Sequence, residues 1–367
     1  MRRDERSTPT KLSSSPASTS LTSPRRARGG PRRGPRRRGR PSLRPQRRSP
    51  LRAGLVRLAP DERVLWLVLH HIVTDGWTDA FLMQELGRLY DDSSTSDAPS
   101  APTYADYAAW QRRAQSGERH AAALARWRAR LAGAPALLAL PTDRPRGDAP
   151  AHRGARVAFT ASPAALAPLR RLARAEGATL SQAVLTVFAA VLRRFADQDD
   201  LVIGLTAAAR GRVELEAVAG FFVNTLPIRL DLADDPTLPT LLARVRDAVL
   251  AAHEDEDVPF EQIVRALRSP GDIGGSPLVQ VAFAPQPPGD VGLHLRGCAV
   301  RPLDVHAGGA IFDLTLLTRE TAEGGLEAFL SMPPICSTAG ASSSSRERSR
   351  PRSPASTPRL RPSPRCR

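Results

Sequence analysis

Apolar and polar residues alternate from Leu51 to Leu58, the period of a strand with one covered face, and Ala59-Pro60-Asp61-Glu62 reads as a turn. The apolar run Leu65-Trp66-Leu67-Val68-Leu69 follows, so the two segments predict a β-hairpin. Leu82, Leu86, Leu89 and Tyr90 then recur at helical spacing, with Thr78 or Asp79 available as N-cap. Residues 91–103, mainly Asp, Ser, Pro and Ala, read as a loop, and a helix is predicted from Tyr104 to about Leu131. The Pro-rich connector Leu140-Pro141-Thr142-Asp143-Arg144-Pro145 places a lobe boundary near 140–165.

Beyond it, helices are predicted at 163–175 and 179–196, the latter with Leu180, Val184, Val187, Val191 and Phe195 along one side. Strands are predicted at Leu201–Gly204 and Phe222–Leu230, then helices at 237–252 and 259–268, the last with Pro259 at its first helical position. Four more strands follow at 278–284, 299–306, 311–318 and 325–330. The alternation supports an α/β fold with mixed sheets flanked by helices. After Phe329 the periodicity stops.

Composition separates this region from its flanks. Residues 1–50 carry 16 Arg or Lys against Asp4 and Glu5, and residues 337–367 carry eight Arg against Glu347, which leaves residues 51–336 at −5 of the chain's total of +16. Arg, Pro, Ser and Gly dominate both flanks, which cannot bury enough apolar surface to offset the entropy of folding, so both are expected to be disordered. Tracts such as Pro35-Arg36-Arg37-Arg38-Gly39-Arg40 can meet phosphates non-specifically, but no aromatic residue precedes Leu65 to stack on bases, so no specific nucleic acid is expected. No apolar run is long enough for a membrane span, and the N-terminus lacks the apolar stretch of a secretory signal. Cys298, Cys336 and Cys366 are odd in number and lack metal-ligand spacing, which fits a reducing cytoplasm and no metal site.

The candidate chemistry lies in His70-His71-Ile72-Val73-Thr74-Asp75-Gly76, directly after the second strand. A neutral imidazole accepts a proton near pH 7, a carboxylate at a turn fixes loop geometry through an arginine or backbone amides, and an amide near Gly76 can stabilise an oxyanion. Those parts serve acyl transfer. Zinc is a poor competitor, because adjacent histidines on a strand point to opposite faces. With no Gly-x-Ser-x-Gly elbow, direct transfer between two bound substrates is favoured over a covalent intermediate.

These residues resemble the condensation domains of nonribosomal peptide synthetases over roughly residues 50–330. The HHxxxDG motif stands at His70 to Gly76. It is followed in the family's order by Tyr104-Ala105-Asp106-Tyr107-Ala108-Ala109-Trp110, Gly220-Phe221-Phe222-Val223-Asn224-Thr225-Leu226, Asp257-Val258-Pro259-Phe260-Glu261 and Ser276-Pro277-Leu278-Val279-Gln280-Val281-Ala282-Phe283.

The resemblance implies a V-shaped pair of chloramphenicol-acetyltransferase-like lobes with His71 at the floor of a tunnel between them. Upstream and downstream peptidyl carrier proteins, beside an adenylation domain, would deliver acyl groups on phosphopantetheine arms. The domain itself would bind no cofactor, and the acceptor amine would attack the donor thioester to form an amide. His71 is then catalytic, as general base or as orienting partner of the amine, and Gly76 contributes to the oxyanion environment. His70 and Asp75 support the site, Asp75 through an ion pair with Arg210 or Arg212, and Trp77 and Asn224 lie at the channel. Tyr104, Tyr107 and Trp110 are expected to pack a helix against its lobe, and Phe221 and Phe222 to be core or channel wall. An epimerisation domain and a carrier-independent acyltransferase share the motif and stand as alternatives.

The implied organisation is a tail at 1–50, a partial N-terminal lobe at 51–160, a C-terminal lobe at 161–331 and a tail at 332–367. The family's SxAQxR-like and RHExLR-like motifs do not precede the histidine motif, so the first lobe is expected to be incomplete and the chain alone unstable and inactive. The Arg-rich tails, with Lys11 the sole lysine, are expected to be out-of-frame or truncated translation. Asp255-Glu256-Asp257 stands where the family often has His-Gln-Asp.

Overall fold

The structure, a computed structural model, describes residues 49–92, 102–141, 154–267, 278–286, 292–303, 305 and 309–333. The expected tails, most of the Pro-rich connector and Ser276-Pro277 lie outside the described residues.

The predicted hairpin is present as β1 (Leu51–Arg57) and β2 (Arg63–Leu69), paired antiparallel with Leu51 opposite Leu69 and Arg57 opposite Arg63. The Leu58 and Ala59 amides both donate to the Glu62 carbonyl and close its turn. Among the described strands these two form a sheet of their own. Leu55, Val56, Leu65, Trp66 and Val68 of the hairpin are exposed.

The chain then enters α1 (Gly76–Asp91), α2 (Tyr104–Ala114) and α3 (Glu118–Arg130). The single helix expected from Tyr104 to Leu131 is therefore two. The Ser116 hydroxyl donates to the Arg113 carbonyl at 2.8 Å, ending α2, and Gly117 turns to extended backbone as the N-cap of α3. Thr103 and Asp106 close a reciprocal capping box at the start of α2.

The second sheet has six strands in the order β3-β8-β7-β6-β4-β5. They are β3 (Ala155–Ala161), β4 (Asp200–Ala207), β5 (Asn224–Asp231), β6 (Val281–Pro285), β7 (Leu314–Glu320) and β8 (Leu326–Met332). β4 pairs antiparallel with β5 and parallel with β6, so this sheet is mixed as expected. β3 begins six residues before the expected boundary at 160/161 and belongs to this sheet, because it pairs with β8 along its whole length. The strand expected at 299–306 does not form among the described residues of that segment. Ala299–Leu303 are irregular, Leu303 and Val305 are exposed, and only an isolated bridge joins Leu295 to Cys298.

α4 (Pro163–Ala175), α5 (Leu180–Ala196), α6 (Leu238–His253) and α7 (Phe260–Leu267) flank the sheet. Ser162, Thr179 and Thr237 cap the first three, each accepting a backbone N–H three residues on. α5 buries Leu185, Phe188, Ala189 and Leu192, whereas Val187, Val191 and Phe195 of the predicted stripe are exposed. The helix is apolar on both sides, so periodicity finds two stripes and only the position of the sheet chooses between them. Pro259 precedes α7, and its carbonyl accepts from Ile263, so it is the cap residue rather than the first helical one.

The main core joins α5 and α6 to the sheet through Leu185, Leu192, Ile203, Leu226, Val245 and Phe283. Ala123, Trp127 and Leu131 of α3 and the residue after it belong to that same core, so α3 packs on the second sheet although it precedes the connector. This attachment holds the histidine motif's part of the chain against the six-stranded sheet.

Candidate active site

The motif begins where β2 ends. The His70 amide donates to the Pro50 carbonyl at 2.8 Å, and its Nδ1 accepts from the Ile72 amide at 3.2 Å, capping a 3₁₀ turn over His71–Val73. His70 thus shapes the turn that presents His71. The exposed His71 places Nδ1 2.6 Å from the Thr74 carbonyl oxygen. A carbonyl can only accept, so Nδ1 carries the proton and Nε2 of the neutral ring keeps its lone pair for another partner. Phe221 stands edge-on to the imidazole, with ring centroids 5.0 Å apart and planes at 82°.

Asp75 is the N-cap of α1, displacing Thr78 and Asp79 from that expected role. Its Oδ1 accepts from the Thr78 amide at 2.8 Å, its Oδ2 from the Phe222 amide at 2.9 Å, and Arg210 Nη2 lies 3.3 Å from Oδ1. Both side chains of the pair are almost wholly buried. Thr78, fully buried, donates to the Gly220 carbonyl and accepts from the Gly220 amide and from Arg210. Asp79 instead accepts from the Thr74 hydroxyl at 2.5 Å. Arg210 also donates to the Leu215 and Val218 carbonyls and lies 3.9 Å over the Phe222 ring. Burial pulls its pKa below the usual arginine range, against the opposing effect of Asp75. Arg212, the other expected partner, stacks over Trp110 at 4.7 Å.

Gly76 opens α1, so its N–H and that of Trp77 have no acceptor within the helix and are available to an oxyanion. A side chain on Gly76 would lie 3.2 Å from Gln286 Oε1, so the amide at the end of β6 borders the same spot. Trp77, exposed at the margin, donates Nε1 to the Glu216 carbonyl at 3.0 Å. Asn224 spends its whole side chain on backbone. Nδ2 donates to the Glu256 and Val258 carbonyls, and Oδ1 accepts from the Thr225 and Phe260 amides. That saturation ties β5 to the start of α7 and leaves no polar atom to face a channel.

The aromatic residues of α2 reach the same place. Tyr104 donates its hydroxyl to the Phe221 carbonyl at 2.6 Å, and its ring meets Phe222 at 5.1 Å. Tyr107 packs on Phe222 at 4.6 Å, and burial pushes its hydroxyl up to about 12. Gly220 is required here, because a Cβ would lie 2.1 Å from Tyr104 Cδ2. Reading Tyr104 and Tyr107 as helix packing therefore describes only part of their contacts.

Asp255, at the departure from His-Gln-Asp, is buried between Arg126 and Arg130 of α3, while its carbonyl accepts from Trp127 Nε1 at 3.1 Å. Burial works against its charge, but the two guanidinium groups outweigh it and lower its pKa. Asp257 moves the other way, raised by burial and by Glu256.

Thr78 and Gln286 were not legible as site residues. Thr78 carried a signal, since it follows the motif by two residues, whereas Gln286 lies 210 positions beyond Gly76 with no local mark.

Comparison with known proteins bears on this arrangement. The family model described as Condensation domain matches residues 36–326, reaching fifteen residues ahead of Leu51 into the Arg-rich tract. Malpinin synthetase of Mortierella alpina is 42% identical over 278 residues, covering 75% of this chain and 4% of that protein. Chondramide synthase cmdD of Chondromyces crocatus is 39% identical over 285 residues, covering 76% of this chain and 7% of the relative. The chain thus spans a small part of these curated relatives. Among solved structures, the X-domain from teicoplanin biosynthesis superposes with a TM-score of 0.71 at 30% identity, covering 80% of this chain and 69% of that one. The condensation domain from Monacolin K polyketide synthase MokA shares the fold with a TM-score of 0.67 at 21% identity, over 78% of this chain and 68% of that one. With the family model spanning most of its length and the histidine motif seated at the start of α1, this chain belongs to the condensation-domain family of nonribosomal peptide synthetases.

Proposed function

We propose that this chain joins a donor acyl or peptidyl thioester to an acceptor aminoacyl thioester, forming an amide, against the expectation of inactivity drawn from its incomplete first lobe, because the His71 loop, the Asp75 cap and the Asp75–Arg210 pair are all in place. The observation that carries the reading is the His71 Nδ1 contact with the Thr74 carbonyl, which leaves Nε2 free to accept an N–H of the acceptor amine. The amine nitrogen bonds to the donor carbonyl carbon, the carbon–sulfur bond breaks, and the proton lost from nitrogen passes by way of Nε2 to the departing thiolate. The Gly76 amide at the positive end of α1 stabilises the tetrahedral oxyanion. Asp75 and Arg210 hold the loop and take no proton.

Both substrates arrive on phosphopantetheine arms of upstream and downstream carrier proteins, with an adenylation domain next to this one. The chain divides into an N-terminal lobe from Leu51 to the connector and a C-terminal lobe from Ala155, α3 being shared by contact. The setting is the cytoplasm, supported by the free, exposed Cys298.

The test mixes the full chain with donor and acceptor carrier proteins loaded with aminoacyl thioesters and follows the acceptor carrier by mass spectrometry. Condensed product should appear with the parent chain and vanish with His71→Ala. Equal product from the two proteins would overturn the assignment.

A further inference from the structure

We propose that Tyr104 is a positioning residue for His71, acting through Phe221; this rests on the reading of His71 as the catalytic base. Three neighbouring groups fix the segment Gly220–Phe222. Thr78 takes the Gly220 amide and carbonyl, Asp75 takes the Phe222 amide, and the Tyr104 hydroxyl donates to the Phe221 carbonyl at 2.6 Å. Phe221 itself is thereby held by Tyr104, while its ring stands 5.0 Å from the imidazole in edge geometry. His71 is exposed, and among the described residues its side chain has one polar tether, Nδ1 to Thr74, which sets the tautomer. Phe221 supplies the lateral wall that limits where Nε2 points.

The Tyr104 ring is in turn fixed from both sides. It lies against Gly220, where no side chain fits, and against Phe222. Its hydroxyl is therefore delivered by helix α2 to a set place, and removing the hydroxyl frees the Phe221 peptide without opening a cavity. Small displacements of a base cost rate far more than affinity, so the effect belongs in kcat and not in KM.

Two conservative variants test this in the full chain. Phe221→Leu removes the wall, and Tyr104→Phe keeps the ring and removes only the hydroxyl. The first measurement is proton NMR of the His71 ring, assigned by loss of its signals in His71→Ala. Phe221→Leu should shift the His71 Hε1 and Hδ2 signals by removing the ring current. Tyr104→Phe should move them the same way by less, and adding it to Phe221→Leu should move them no further. The second is amide formation, where Tyr104→Phe should lower kcat about tenfold with KM unchanged. His71 signals unmoved in Tyr104→Phe, or shifts that add in the double variant, would overturn the role. Shifts as expected in a chain that forms no amide would count against the proposed reaction and leave the brace standing.

Discussion

Asp75 and Arg210 meet 135 residues apart in the chain, their side chains 1% and 2% exposed and Nη2 3.3 Å from Oδ1. Removing either partner strands the other charge out of water, and Asp75 also caps α1. Asp75→Ala should therefore destabilise the fold by about 3–5 kcal/mol, and Arg210→Ala by a similar amount. Arg212→Ala, which removes a stack on Trp110, should cost about 1 kcal/mol. Urea unfolding of the three variants measures this, and an equal loss from Arg210→Ala and Arg212→Ala would contradict the pairing.

Gly220→Ala forces a methyl to within 2.1 Å of Tyr104 Cδ2. The expected cost is about 1–3 kcal/mol, since a rigid ring packed on Phe222 cannot yield cheaply. Tyr104→Ala in the same chain removes the clash, so the double variant should be more stable than the two separate losses sum to. Additive losses would show that the contact is not the cause.

Tyr107 gives a signature at high pH. Burial raises its hydroxyl to about 12 in the folded chain, above the ordinary tyrosine value of about 10. The folded form holds the proton more tightly, so this contribution is fully present below about pH 10 and is lost as pH rises through about 12. Tyr107→Phe should flatten the fall in stability over that window, measured by chemical unfolding at stepped pH. An unchanged slope would mean that Tyr107 ionises freely in the fold.

Asn224 accepts two backbone amides and donates to two carbonyls. Asn224→Ala leaves those partners to solvent or unpaired and should cost about 2–4 kcal/mol. Its KM for either loaded carrier protein should stay at the parent value, because no polar atom of the side chain is left for substrate. A raised KM with unchanged stability would return Asn224 to the channel.

Elements and motif were readable along the chain because their causes are local. The hairpin follows from a two-residue period and a turn at 59–62, and α5 from apolar residues at helical spacing, while the Thr179 and Thr237 caps were seen in the structure. The same local logic failed where two solutions were equally local. The helix from Tyr104 to Leu131 broke at Ser116-Gly117, and the alternation from Ala299 gave irregular backbone through Leu303.

The seven residues from His70 to Gly76 already marked a strand end followed by a loop and a helix, whereas the placing of His71 on a 3₁₀ turn rather than on the strand came from the structure. Sequence could not say that the arginine is Arg210, since Arg210 and Arg212 sit two apart with the same chemistry, and the choice depends on which of them meets Asp75. Nor could it say that α5 buries Phe188 and exposes Phe195, or that Phe221 faces His71 while Phe222 faces Tyr104 and Tyr107. Each of those outcomes rests on contacts between segments distant in the chain, where packing and the pairing of buried charge select one arrangement among several that local preferences allow equally.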